Sequence, residues 1–182
     1  MPASRSNHAS DAAARLLEEH GNEAISVDVE MIARSLGALI VFEAFDGSLS
    51  GSLVKEAGNT PVIAINTSHH PNRQRFSIAH ELGHLQLHAT RKREDHVFLD
   101  RPFRALRSDV SSLGTDRREV EANAFAASLL MPEEKVFEEA THQLHGGQDD
   151  PAALAAALAS SFGVSEQAMT YRLINLGLLE PW

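Results

Sequence analysis

The sequence predicts a helix-rich α+β fold with one short sheet, and three observations carry that reading. Three segments rich in Val, Ile and Leu cluster between Ala38 and Asn66, a long helical period follows from Pro71 to His88, and helical spacing then dominates to the end of the chain. At 182 residues and 43% hydrophobic, the chain suits one domain with at most a small appendage, and it can bury a core without disulfide or metal staples.

Residues 1–8 are small and polar without periodicity and are expected to be disordered. From Ser10 the spacing of Ala13, Leu16 and Leu17, with Gly21 just behind, predicts a first helix. Ser26 and Asp28 offer N-caps to a second, which carries Val29, Ile32, Ala33 and Leu36 and stops at Gly37. Residues 38–42, 51–55 and 61–66, separated by Gly, Asp, Asn and Pro, read as a three-stranded antiparallel meander; Pro61 suits the first residue of a strand, where no ladder donor is lost. Phe76, Ala79, His80, Gly83, His84 and Leu87 then share one face of a helix, and Ile78, Leu82 and Leu85 add apolar bulk on another side, so this helix is expected to be central and buried. Residues 89–114 hold basic clusters and Pro102 and read as loop, with 96–99 extended. A helix over about 116–130 ends at Met131-Pro132, and an acidic helix follows over 133–145. After a turn at 146–150 come two more helices, joined at Gly163 and ended by Gly177.

Composition removes whole classes of chemistry. There is no cysteine, which excludes disulfide frameworks, thiolate nucleophiles and cysteine-based zinc sites. With 10 histidines, a transition metal here must be held by imidazole and carboxylate. The formal net charge of −9 argues against general attraction to nucleic-acid phosphates. No apolar run reaches the length of a membrane span and no signal peptide is visible, so the expectation is a soluble cytoplasmic protein with no membrane partner.

Within the central helix, His80-Glu81-Leu82-Gly83-His84 reads HExxH. Residues four apart on a helix lie one above the other, so both imidazoles reach a single ion. Glu81, rotated about 100° from His80, is poorly placed as a ligand but well placed to work on a water at that ion as general base and then acid. The composition gives about 0.05 chance occurrences of the pattern. A lone histidine on an apolar helix face is usually a core residue with a hydrogen-bond partner; two at this spacing, with a glutamate between, are harder to explain that way. A third ligand is best sought on the helix over 116–130, where Glu119 and Asn123 share a face: one binds metal while the other supports a histidine's second nitrogen. Glu119 equally fits a capping box with Asp116, and spacing alone does not separate the two readings. Glu121 points away from the Glu119–Asn123 face, and His88, one turn beyond His84, is a weaker ligand candidate.

HExxH followed by a distant carboxylate on another helix resembles the gluzincin arrangement. More specifically, Asn66, then Arg73-Gln74-Arg75-Phe76-Ser77-Ile78-Ala79-His80-Glu81-Leu82-Gly83-His84, and later Glu119-Val120-Glu121-Ala122-Asn123-Ala124-Phe125-Ala126 with Leu129-Leu130-Met131-Pro132, resemble the ImmA/IrrE family of metallo-endopeptidases. Its patterns read RxxFxxAHELGH and ExxANxFAxxLLMP, and the match spans residues ~25–175. The resemblance implies Zn²⁺ held by His80, His84 and Glu119, with Glu81 as general base. It implies a zincin-like fold with the short sheet beside the metal helix, and cleavage of a Xre-type repressor to relieve transcriptional repression. Larger relatives carry an additional sensory domain, which is not expected within these 182 residues. On this reading residues 9–145 form the zincin-like metallopeptidase domain, and residues 146–182 form a helix-turn-helix-like subdomain packed on it.

That last pair has the small, glycine and apolar positions of a helix-turn-helix at Ala159, Gly163 and Met169, and Ser165 caps its second helix. Residues 133–182 nonetheless hold 8 acidic and 2 basic side chains, which favours a packing or protein-binding role over DNA reading. Half of the basic residues, 8 of 16, lie between Arg91 and Arg118. They read either as a solvated loop or as a rim that attracts an acidic substrate. Two other functions were weighed against the peptidase. One is a non-catalytic interaction module of a repressor or toxin–antitoxin system with a structural metal site, against which the presence of Glu81 argues; the other is direct DNA binding, which the local acidity disfavours.

Overall fold

A computed structural model of the chain describes residues 3–20, 24–45, 49–89, 95–100, 112–147 and 150–180. Among the described residues, seven helices and four strands run in the order α1 (Ala3–His20), α2 (Val29–Ser35), β1 (Leu39–Glu43), β2 (Gly51–Lys55), β3 (Val62–Asn66), α3 (Pro71–Leu87), β4 (His96–Asp100), α4 (Ser112–Leu130), α5 (Glu133–His145), α6 (Pro151–Phe162) and α7 (Glu166–Asn175). The mixed α+β, helix-rich class agrees with the sequence reading. Among the described residues no helix is long and apolar enough to cross a membrane.

The helices begin where side chains satisfy their first N–H groups. Asp28 accepts from Met31 N at 2.9 Å, Asp150 from Ala153 N at 2.8 Å, and Ser165 from Ala168 N at 3.2 Å. The turn between α6 and α7 needs a glycine: Gly163 sits at φ +64°, the left-handed region that costs a side chain strain. Two starts differ from expectation. Helix α1 begins at Ala3, so residues 3–8 extend the helix that was read from Ser10 rather than a disordered terminus. Helix α4 begins at Ser112, which places Asp116 inside the helix and removes the capping-box reading of Glu119.

The sheet corrects the expected three-stranded antiparallel meander. It has four strands in the order β1-β3-β2-β4. Strand β1 runs parallel to β3, from Leu39 opposite Val62 to Glu43 opposite Asn66, while β2 is antiparallel to both β3 and β4. The reason is nonlocal. Short runs rich in Val, Ile and Leu mark each strand but not its neighbours, and the connection over 44–50 is too long for a tight hairpin, so β2 is free to pass to the far side of β3. There the fully buried Ile63 and Ile65 of β3 lie inside the sheet rather than on its edge. Asn66, 1% exposed, ties both ends of that connection: its amide donates to Leu49 O at 2.8 Å and its oxygen accepts from Phe45 N at 3.3 Å. Strand β4 forms from the segment that the sequence read as loop with an extended 96–99.

The helices wrap α3. Its residues Ser77 to His84 are all buried, with α4 along one side, the sheet on another, and the α6–α7 turn at its N-terminal end. That turn is fastened by side chains of α3: Asn72 Nδ2 donates to Val164 O at 2.8 Å and Arg75 Nε to Gly163 O at 3.2 Å. Arg172 of α7 donates to Met131 O at 3.0 Å.

Candidate metal centre

The close crossing of α3 and α4 makes the site. A Cβ added at Gly83 would lie 3.0 Å from Ala122 Cα, 3.1 Å from its carbonyl oxygen and 3.2 Å from Phe125 Cδ1. The glycine between the two histidines therefore lets α4 approach to backbone contact. With Ala122 facing α3, a 100° step per residue puts Glu119 about 60° to one side, Asn123 about 100° to that same side, and Glu121 about 100° to the other. Both flanks of α4 thus reach α3, one on each side of the contact line.

On the first flank three groups converge. His80 Nε2 lies 3.1 Å from Glu119 Oε2 and His84 Nε2 lies 3.2 Å from Oε1, while the two Nε2 atoms are 3.1 Å apart. Among the described residues, His80, His84 and Glu119 are the His/Cys/Asp/Glu group that could hold a metal ion, with ligand atoms within 4.8 Å of one another. Both histidines are 1% exposed. His80 turns its Nδ1 to Asn123 Oδ1 at 3.0 Å. His84 turns its Nδ1 to His88 Nδ1 at 3.0 Å, and its ring stacks on Phe98 of β4, centroids 4.3 Å apart. On the second flank His88 Nε2 meets Glu121 Oε2 at 3.1 Å, and Arg117 Nε donates to Glu121 Oε1 at 3.0 Å. Glu81 is fully buried beside the pair; a Cβ at Gly51 of β2 would come 3.4 Å from its Oε1.

The electrostatics suit a cation. Burial lowers the pKa of His84, against its contact with Glu119, and lowers that of His88, against Glu121. Burial acts on Glu119 in the opposite sense, but the two facing imidazoles outweigh it and hold the carboxyl at about 2. With its Nδ1 proton given to Asn123, His80 presents a lone pair at Nε2. Lone pairs of imidazole and carboxylate that face one another repel unless a proton or a metal ion lies among them, and burial opposes protonating His84. A tetrahedral ion with bonds of ~2.0–2.1 Å sets its donors about 3.3 Å apart, close to the spacing found here. The residues fit a divalent metal ion.

The metal-binding candidates of the sequence all lie among the described residues. His80, His84 and Glu119 come together, and Asn123 supports His80. His88, read as a weak ligand candidate, holds the second nitrogen of His84 instead of joining the converging atoms. Of the basic cluster, Arg91, Lys92, Arg93, Arg101, Arg104 and Arg107 lie outside the described residues. Sequence reasoning missed Phe98: Val97-Phe98-Leu99 is one apolar run, and only the structure shows that Phe98 turns inward while Val97 and Leu99 are exposed. It also missed the pairing of Glu121 with His88, for which no local signal exists. A groove of about 590 Å³ runs from Asn123 along α3, α4 and α7, with Phe76, Met131 and Tyr171 among its walls.

Fold and site together define a class: an α+β protein in which two imidazoles of a buried helix and a carboxylate of the helix crossing it converge in a group that could hold a metal ion. The chain matches the family Peptidase_M78, the IrrE N-terminal-like domain, over residues 33–174, and it belongs to that family. This is the IrrE/ImmA family that the HExxH and ExxAN segments led one to expect. No curated protein matches the chain. Among solved structures it is similar to one described as a "Mycobacterium tuberculosis transcriptional regulator", with a TM-score of 0.60 at 20% identity over 92% of this chain and 46% of that one. The likeness is one of fold, and the chain spans about half the length of that protein.

Proposed function

We propose that this protein is a zinc-dependent endopeptidase that cleaves a Xre-type transcriptional repressor in the cytoplasm and so relieves repression. The observation that carries the reading is the convergence of His80, His84 and Glu119 with Glu81 buried at their side. His80, His84 and Glu119 hold the ion, and Asn123 fixes the ring of His80. Zn²⁺ bound there supplies Lewis acidity toward a peptide carbonyl and lowers the pKa of a water. Glu81 takes the proton from that water and delivers it to the departing amine nitrogen, a role suited to a carboxylate shielded from bulk solvent.

Two features support a polypeptide as the occupant. Strand β4 lies at an edge of the sheet, and its Phe98 stacks on His84, so an extended segment pairing with β4 runs past the metal centre. The groove beside Asn123 offers apolar walls to a side chain of that segment. Helices α6 and α7 then serve the peptidase by walling the groove, in keeping with the acidity that disfavours DNA contact.

The test is co-expression with the repressor encoded beside the gene, comparing wild type with Glu81→Gln and Glu81→Ala. Cleavage lost while zinc stays bound is expected. Cleavage that persists in the variants excludes Glu81 as the base, and an intact repressor with wild-type protein removes that substrate.

A further inference from the structure

The second flank of the α3–α4 crossing is not used by the proposed chemistry, yet it is built around a proposed ligand. His84 reaches the ion through Nε2 only if its proton sits on Nδ1. That nitrogen faces His88 Nδ1 at 3.0 Å, so His88 must accept there and carry its own proton on Nε2. The Nε2 of His88 in turn faces Glu121 Oε2 at 3.1 Å, and an ionised carboxylate only accepts. One arrangement of protons satisfies all three groups, and the carboxylate sets it; the reverse arrangement would turn the Nε2 lone pair of His88 onto a negative oxygen. The other oxygen of Glu121 accepts from Arg117 Nε at 3.0 Å, so the carboxylate lies between a ring N–H and a guanidinium.

We propose that His88 and Glu121 are positioning residues for the metal centre: a relay that holds His84 as the Nδ1–H tautomer and lends it the negative charge of Glu121. This inference rests on the reading of His84 as a ligand. The two ligands are then unequal. His80 leans on a neutral amide, Asn123 Oδ1, whereas His84 leans through an imidazole on a carboxylate, which makes it the stronger donor. Phe98, stacked at an interplanar angle of 16°, keeps the His84 ring in the plane that the relay requires. A rival explanation is that His88–Glu121 only ties α3 to α4, and the two differ in what they move: a tie sets the stability of the metal-free fold, a relay sets the affinity and geometry of the metal.

The experiment measures the zinc dissociation constant of the full chain by competition with a chromophoric chelator, the visible absorption bands of the Co²⁺-loaded protein, and the melting temperature of the metal-free protein. The variants are Glu121→Gln, His88→Leu and His88→Gln. Wild-type binding of zinc tests the ligand reading by itself, and failure there takes the relay with it. Given that binding, Glu121→Gln and His88→Leu are expected to weaken zinc roughly 10- to 100-fold and to shift the Co²⁺ bands. His88→Gln, whose amide accepts from His84 and donates to Glu121, is expected to recover most of the loss. Glu121 is partly exposed, so Glu121→Gln keeps the test open should His88→Leu not fold. Zinc affinity within twofold of wild type and unchanged Co²⁺ bands in Glu121→Gln would overturn the relay, whatever the melting temperature does.

Discussion

Replacing Gly83 by alanine adds one methyl group at the point where α3 and α4 touch. Its new carbon would stand 3.0 Å from Ala122 Cα and 3.1 Å from Ala122 O, whereas carbon contacts are comfortable at about 3.5–4.0 Å. The obstacle is backbone and cannot rotate away, so α4 must retreat by about 0.5–1 Å. Overpacking of this kind costs about 1–3 kcal/mol, and the better helix propensity of alanine returns about 1 kcal/mol. The net loss is therefore at most about 2 kcal/mol, or up to about 8 °C in melting temperature for a chain of this size. The effect on the site is larger, because Glu119 rides on α4. Its oxygens, now 3.1 and 3.2 Å from the two Nε2 atoms, would move beyond the spacing that one tetrahedral ion spans. Zinc affinity, read by chelator competition, is expected to fall by at least about 10-fold while the protein stays folded by circular dichroism. Wild-type zinc affinity with an unchanged or raised melting temperature in Gly83→Ala would refute the claim that this contact positions Glu119.

Three other outcomes follow from the same structure. Glu81→Gln is expected to bind zinc within a few-fold of wild type and to lose roughly 10²–10⁴ in cleavage rate; a variant that loses zinc as well would mark Glu81 as part of the metal's support. In the metal-free protein the folded pKa of His84 lies below 6.5, so the unfolded chain takes up its proton first and stability falls as pH drops through and below 6.5. Urea midpoints at pH 7.5, 6 and 5 should therefore fall in that order; Glu119, at about 2 against 4.5, contributes fully above 4.5 and loses its contribution as pH falls toward 2, so the midpoint should fall again between pH 5 and 3, and a rise in either range would contradict the assignments. Arg75 reaches Gly163 O, Val27 O and Ser26 Oγ at 3.2, 2.9 and 3.0 Å, so Arg75→Ala should cost roughly 2 kcal/mol by denaturant titration and leave zinc affinity untouched, unlike Gly83→Ala.

Periodicity explains what was legible in the chain itself. The HExxH pair is legible because residues four apart on a helix must share a face, wherever that helix is packed. The caps at Asp28 and Ser165 and the glycine stop at Gly163 are legible for the same reason: each acts within a few residues. The resemblance to ImmA/IrrE peptidases then singled out Glu119, which spacing had left equal with a cap; the start of α4 at Ser112 removes that cap.

Strand order and the partners of the second flank belong to a different level. The same apolar segments would serve a meander or the β1-β3-β2-β4 sheet, since composition marks a strand and not its neighbour. Glu121 looked misdirected only because the Glu119–Asn123 face was taken to point at the metal helix. The structure aims Ala122 there, against Gly83, and so opens both flanks of α4 to α3. The amino-acid sequence by itself determined which side chains could serve a metal, through the short-range geometry of a helix. Which carboxylate meets them, and which histidine and glutamate stand behind them, was decided by how closely two helices cross, a distance set by contacts between residues far apart in the chain.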